Sequence, residues 1–414
     1  MPRVLLLTTA HSYRNEAFQN AARRLGIEVV QAVDATGPLV THTSRNLPVD
    51  FGEPDAAVAT IAGFAAINPL AAILAVDDSG VVLASEAAAV LGLPHNQPGA
   101  AHAARNKYQM RRLLAAAGVP SPWHRLFSTA DDPVELCQQV PYPCVIKPLT
   151  LNGSRGVIRA NAPAELISAA LRLRRLLNAE FGPGVHPYLV EAFIPGFEVA
   201  LEGMLDDGQL VVLALFDKPD PLDGPFFEET IYVTPSRLDA AVQTAIADAA
   251  GRAAAAIGLK NGPIHAELRV NARGPWLLEI AGRSIGGLCG QTLRFDLGVS
   301  LEELILRQAC GLPWQPANSR MQANGVMMIP IPEAGILERV DGIEAATAVP
   351  FVESIEITAP LHHSLIPLPE GDSYLGFIFA EADTPEQVES ALRAAHAQLR
   401  FGILAEFNLA TTGL

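Results

Sequence analysis

At 414 residues, half of them hydrophobic and 18% charged, the chain can bury several cores and carries too little net charge per residue for a disordered polymer. A formal charge of −15 leaves no basic face to neutralise a phosphate backbone, which argues against nucleic acid and acidic membrane surfaces as partners. The four cysteines, Cys137, Cys144, Cys289 and Cys310, lack the close paired spacings of zinc sites and disulfide frameworks, so a reducing, cytoplasmic setting is expected.

The apolar run that precedes His11, Arg14 and Glu16 is too short for a signal-peptide core and reads as a first β-strand. From Ala56 to Val76 there is no charge, about the length of a membrane-spanning helix, but Asn68 and Pro69 interrupt it. The pattern predicts a helix ending near Ile67 and then a buried strand. Residues 1 to about 98 alternate short apolar runs with amphipathic segments, which implies a parallel sheet covered by helices. The domain is Rossmann-like in pattern, yet no GxGxxG follows its first strand, so it reads as scaffold without a dinucleotide fingerprint.

A helix is expected from about Ala101 to Ala117, stopped by Gly118 with Pro120 and Pro122 beyond. The runs PCVIKPL, GVIRA, YLVEAFI, FEVALEGML and QLVVLALF read as strands, the last two joined by a hairpin at Asp206-Asp207-Gly208. Helices are expected over 163–179 and 237–257, the second capped by Ser236, with strands at 263–270 and 275–281. Thr384-Pro385-Glu386-Gln387 is a well-formed helix start. His362 and His363 would point to opposite faces of a strand and read as a surface pair.

The most informative text is IHAELRVNARGPWLLEIAGR. Strand alternation puts His265, Glu267 and Arg269 on one face, and Leu277, Glu279, Ala281 and Arg283 on one face of the next strand. With Ala272-Arg273-Gly274 as the loop, Glu267 falls opposite Glu279, with side chains about 4.5–5.5 Å apart. Two carboxylates so close repel each other. Mg²⁺ with phosphate oxygens is the natural occupant between them, while salt bridges to Arg269 and Arg283 on a solvated face are the plainer alternative. In VIKPLTLNGSRGVIRA, Lys147 ends a buried strand and Asn152, Gly153, Ser154, Arg155 and Gly156 form a loop whose N–H groups suit polyphosphate. It is not a Walker A loop, because the chain returns to a strand. In YLVEAFIPGFEVALEG, Glu191 closes one strand and Glu198 opens another, offering backbone groups to a purine and a carboxylate to ribose hydroxyls. Lys107 has no local feature that distinguishes it from a solvated helix lysine.

In this order, NKYQMRRLLAAAGVPSP, VIKPLTLNGSRGV, LVEAFIPGFEVALEG, IHAEL and LLEIAGRSIGG resemble the ATP-grasp carboxylate–amine ligases over nearly the whole chain. The resemblance implies an α/β and α+β protein: a Rossmann-like pre-ATP-grasp domain over 1–100, a central subdomain with a Gly-rich flap over 101–185, a core subdomain with the metal site over 186–324 and a C-terminal α+β segment over 325–414. ATP would be held between two α+β subdomains. It further implies Lys107 and Lys147 on the phosphates, Ser154, Arg155, Gly156 and Val157 as a flexible flap, Glu191, Ala192, Phe193 and Ile194 as the adenine strand, Glu198 on the ribose and His265 beside the nucleotide. Glu267 and Glu279 would hold Mg²⁺ or Mn²⁺, and Arg283 would steady the reacting carboxylate. Many relatives carry Asn two residues after the second Glu, where this chain has Ala281, and that leaves the number of metal ions open.

EIAGRSIGG with FFEETIYVTPS is most similar to the L-amino-acid ligases, which form dipeptides; by that likeness Glu229, Gly286 and Gly287 are substrate candidates. The implied reaction joins a small carboxylate and an amine through an acyl phosphate, releasing ADP and phosphate, in a cytoplasmic enzyme that a homodimer would suit. Biotin-carboxylase-like chemistry, a purine-pathway ligase and a nucleotide-binding module without turnover stay open as alternatives.

Overall fold

The computed structural model describes residues 1–9, 12, 14–34, 46–295, 298–315 and 322–405. The chain forms two compact units: one of Met1–Ser121, Val199–Leu215 and Leu238–Met321, the other of Pro122–Glu198, Phe216–Arg237 and Gln322–Leu414.

The first unit opens with parallel strands Arg3–Thr9, Glu28–Asp34, Asn46–Val49 and Ala72–Ala75, in which the first strand lies between Glu28–Asp34 and Ala72–Ala75. Parallel neighbours need crossovers, and the helices Asn15–Leu25, Pro54–Ile67 and Val81–Leu91 lie along the chain between and after them. Leu5, Leu7, Val30, Leu47, Ile61 and Ala87 make their common core. The uncharged stretch thus ends as a helix at Ile67, followed by strand Ala72–Ala75. Among the described residues no helix is long and apolar enough to cross a membrane.

The helix expected over 101–117 is two helices, Pro98–Arg105 and Lys107–Ala116. Asn106 breaks the run: its backbone is extended, and its side chain accepts the N–H groups of Tyr108 and Gln109 as the N-cap of the second helix. Lys107 therefore starts a helix. The same unit holds neighbouring strands in the order Gly274–Ala281, Gly262–Asn271, Phe197–Asp206 and Gln209–Lys218, the last two crossing the unit boundary along their length. Helix Ala240–Ile257 buries Ile246, Ala249, Ala250, Ala253, Ala254 and Ile257 at helical spacing. It begins after Asp239, so Ser236 lies outside it and is not its cap.

The second unit has an antiparallel sheet ordered His124–Ser128, Pro187–Ala192, Cys144–Pro148 and Ile158–Ala160. Helix Pro163–Phe181 packs Leu166, Ala170, Leu173 and Leu177 into its core. Its C-terminal part pairs Ile231–Thr234 with Ala323–Ile329, which pairs with Gly376–Ala382, which pairs with Val352–Ile357. Helix Pro385–His396 starts with the capping box that its sequence announces, Thr384 with Gln387. His362 and His363 lie in a turn and not in a strand, His362 with φ of 63°, and both are exposed.

Candidate active site

Glu267 and Glu279 are direct cross-strand partners, as expected, but by a different route. The turn is Ala272-Arg273 alone, and the pairs run from Asn271–Gly274 to Leu268–Leu277. Continued, that register would set Leu278 opposite Glu267 and turn Glu279 toward Ala266 and Leu268, which are wholly buried. Instead the register slips by one residue between Leu268 and Glu267, so that Glu267 meets Glu279, Ala266 meets Ile280 and His265 meets Ala281. Leu278 is the extra residue of a β-bulge. The expectation that Leu277 and Glu279 share a face fails for that reason: Leu277 and Ile280 are both fully buried, whereas Glu279 is partly exposed.

Lys107 is buried, not solvated, and its Nζ lies 3.3 Å from Glu279 Oε1. His265 lies between carboxylates: one ring nitrogen bonds Glu202, and Nε2 is 3.4 Å from Glu267 Oε1. Burial alone would push His265 down, but the charge of Glu202 with that of Glu267 holds it up at about 9, so the ring is a cation at neutral pH. Glu202 also accepts the N–H of Ile285 at 3.0 Å. It thereby ties the strand below His265 to the segment after Arg283.

The strand ends at Ala281, so Arg283 lies beyond it. Its Nη2 is 2.5 Å from Asp78 Oδ2, and Nη1 donates to the Ser284 carbonyl at 2.9 Å. Burial would raise Asp78, yet Arg283, together with Lys107 and Arg105, holds its carboxyl below the usual value. The opposite effect raises Arg283 against its own burial. Beside it, buried Arg14 donates to Ser284 Oγ at 2.7 Å and lies 3.4 Å from Glu302. Gly286 has open space where a side chain would stand. Gly287 has φ of 56°, a left-handed conformation that side chains resist.

In the second unit, Lys147 and Glu191 are both buried and pair at 2.8 Å. The N–H groups of Ala192 and Phe193 donate to the carbonyls of Trp123 and Pro143, so neither N–H is left for a purine, while Arg159 covers the Phe193 ring at 4.0 Å. Ile194 is buried immediately after them. The Gly-rich loop is two successive turns, Arg155 N–H to Asn152 and Val157 N–H to Ser154. Gly156, with φ of 73°, fits where an added side chain would press on Leu173 and Pro148 at 3.1 Å. The loop is anchored at one end: Gly156 N–H donates to Pro369 O at 2.8 Å, and Arg155 reaches Glu370 O and Glu180, both at 2.7 Å.

Glu198 is not alone either. Lys218, buried, lies 3.0 Å from Glu198 and bonds Glu229, while Tyr232 Oη donates to Glu229 at 2.8 Å.

Three family models match in chain order: an ATP-grasp N-terminal domain over 18–95, an ATP-grasp domain over 140–292 and an L-amino acid ligase C-terminal domain over 327–403. The chain belongs to the ATP-grasp superfamily. The ATP-grasp fold agrees with the solved L-amino acid ligase from Bacillus licheniformis, which it matches with a TM-score of 0.81 at 23% identity, covering 98% of this chain and 99% of that one. In sequence the chain is 23% identical over 407 residues to the uncharacterized protein y4rH of Sinorhizobium fredii, covering 97% of this chain and 84% of that one. It is 28% identical over 237 residues to an alanine–anticapsin ligase of Bacillus subtilis, covering 53% of this chain and 50% of that one. The chain therefore spans about half the length of that ligase.

Sequence reasoning missed several residues of this ATP-grasp chain: Asp78, Arg111, Glu202 and Lys218. Glu202 had a signal, since strand alternation from Glu198 returns to the same face at Glu202. Asp78 and Arg111 had none, because their partners are more than 150 residues away, Arg283 and Leu278.

Proposed function

We propose that the protein is an ATP-dependent carboxylate–amine ligase that activates the carboxylate of one amino acid as an acyl phosphate and passes it to the amine of a second. The observation that carries this reading is the Glu267–Glu279 pair held in register at the bulge, with Lys107 at its rim. Like charges set directly opposite destabilise a sheet, and two carboxylates offering hard oxygen donors fit Mg²⁺ or Mn²⁺. Glu267 and Glu279 would hold the ion, which when bound supplies charge neutralisation for transferring phosphoryl oxygens.

The remaining work falls to the chain's own groups. Lys147, fixed by Glu191, is the candidate cation for ATP phosphates; Ser154 to Val157 would cover them and exclude water. Ala192 to Ile194 would border the adenine through groups other than the two N–H donors already engaged, and Glu198 would meet the ribose. Arg283, with a planar fork and a charge fixed at every working pH, is suited to hold the attacking carboxylate and then the acyl oxygen on which negative charge develops when the amine attacks. His265 is a cation held beside Glu267, so it would orient that carboxylate rather than act as a base.

When the activated carboxyl meets the amine, the nitrogen forms the new bond, the phosphate leaves with the bonding pair, and the amine loses one proton to solvent. The experiment is ADP and phosphate release across a matrix of amino-acid pairs, with product masses read by spectrometry. Release of AMP and pyrophosphate in step with product would contradict the acyl-phosphate route.

A further inference from the structure

The two carboxylates face each other only because Leu278 is an extra residue, and an extra residue leaves its own backbone groups outside the regular ladder. The structure supplies partners for the backbone at that point. Leu277 N–H donates to the Pro120 carbonyl at 3.1 Å, and Arg111 Nη2 donates to the Leu278 carbonyl at 2.5 Å. Arg111 is fully buried, the bulkiest side chain to be so among the described residues. It lies one helical turn after Lys107, so the two side chains rise from one face of helix Lys107–Ala116. One takes the Glu279 carboxylate and the other takes the carbonyl of the residue before it.

From this geometry we infer that Arg111 is a positioning residue: its grip on the Leu278 carbonyl holds the bulge, and the bulge sets Glu279 against Glu267 for a divalent cation. The inference rests on the metal reading of that pair. A one-residue slip would turn Glu279 toward the side chains of Ala266 and Leu268, and the cation site would lose half of its carboxylates. A buried charge is a demanding way to hold a carbonyl. It is also stiff, because a guanidinium is planar and never deprotonates at working pH.

The test uses the full-length protein with Mn²⁺ as probe, free ion being counted by electron paramagnetic resonance with and without ADP, alongside hydrogen exchange of the hairpin. Arg111→Met should weaken Mn²⁺ binding about 10- to 100-fold, the range for loss of a group that orients a ligand, and speed exchange in 274–281 while the parallel sheet of 3–75 keeps its protection. Arg111→Lys retains one donor and should fall between Arg111→Met and the parent, at least about threefold below the parent; this variant decides if Arg111→Met does not fold. Glu279→Gln separates the two claims. If Glu279→Gln loses Mn²⁺ and the folded Arg111 variants bind it with parental affinity and parental exchange, Arg111 has no positioning role while the metal reading stands. If Glu279→Gln binds Mn²⁺ as the parent does, the metal reading falls and takes this inference with it.

Discussion

Asp78 holds Arg283 by a mostly buried ion pair, Oδ2 to Nη2 at 2.5 Å, so the arginine proposed to face the reacting carboxyl is already oriented by a partner 205 residues away in sequence. That pair links the parallel N-terminal sheet to the end of the carboxylate hairpin within the first unit. It has consequences for both stability and rate.

For stability, Asp78→Asn leaves a buried guanidinium without its counter-charge and should cost roughly 3 kcal/mol, the low end for breaking a buried pair. The folded pKa of Asp78 lies below its ordinary value of 3.8, so its contribution is fully present above that value and fades as pH falls through the folded pKa. Denaturant unfolding of both proteins across pH 2–7, about the range in which a carboxylate titrates, should show the gap closing only at the acid end. A gap that is constant with pH would remove the ionised pair as its cause.

For rate, Arg283→Lys should lower kcat by about 10²–10³, by comparison with loss of a charge-stabilising donor, and leave ATP affinity nearly unchanged. Lysine keeps the charge but loses the parallel donors that serve Asp78 and the Ser284 carbonyl together. Calorimetric ATP binding measured beside kcat checks this; equal losses in both would place Arg283 on the nucleotide instead.

Glu279→Gln should abolish Mg²⁺-dependent turnover while the melting temperature stays near the parental value, since it removes one member of a like-charged pair. It also leaves Lys107 facing a neutral amide, so a modest fall in stability is expected and a large one is not. Parental turnover in this variant would remove the metal assignment.

Lys147→Ala should weaken ATP binding, but it also takes the 2.8 Å counter-charge from Glu191, which is buried at 3% exposure. The informative comparison is therefore Lys147→Met with Glu191→Gln, which removes both charges. The double variant should regain most of the lost stability yet stay deficient in ATP binding; recovery of both together would make the pair purely structural.

Acceptance of bulky amines should depend on Gly286 more cleanly than on Gly287. A tryptophan at 287 would strain the left-handed backbone there, whereas a side chain at 286 enters open space. Gly286→Trp should depress turnover with a large amine partner more than with glycine. Equal loss for both would exclude a substrate pocket at this position.

Much of the fold was legible because its signals are local. The capping box at Thr384, the helix ending at Ile67 and the alternation of the first 98 residues all follow from neighbours a few positions apart. The Glu267–Glu279 opposition was legible too, though by a compensation: a turn shorter by one residue and a bulge longer by one give the same pair. What stayed hidden is long-range. Lys107 reads as an ordinary helix lysine until Asn106 breaks the helix and Glu279 comes into reach. The same holds for Glu198, whose neighbourhood in sequence gives no sign that Lys218 bridges it to Glu229.

The most direct test of the proposed chemistry follows the carboxylate oxygen. With amino acids labelled with ¹⁸O in the carboxyl group, ATP and Mg²⁺, a ligase that works through an acyl phosphate transfers one labelled oxygen to inorganic phosphate for every amide formed, with ADP as the nucleotide product. Amide formation with unlabelled phosphate, or with label in AMP, would contradict the account.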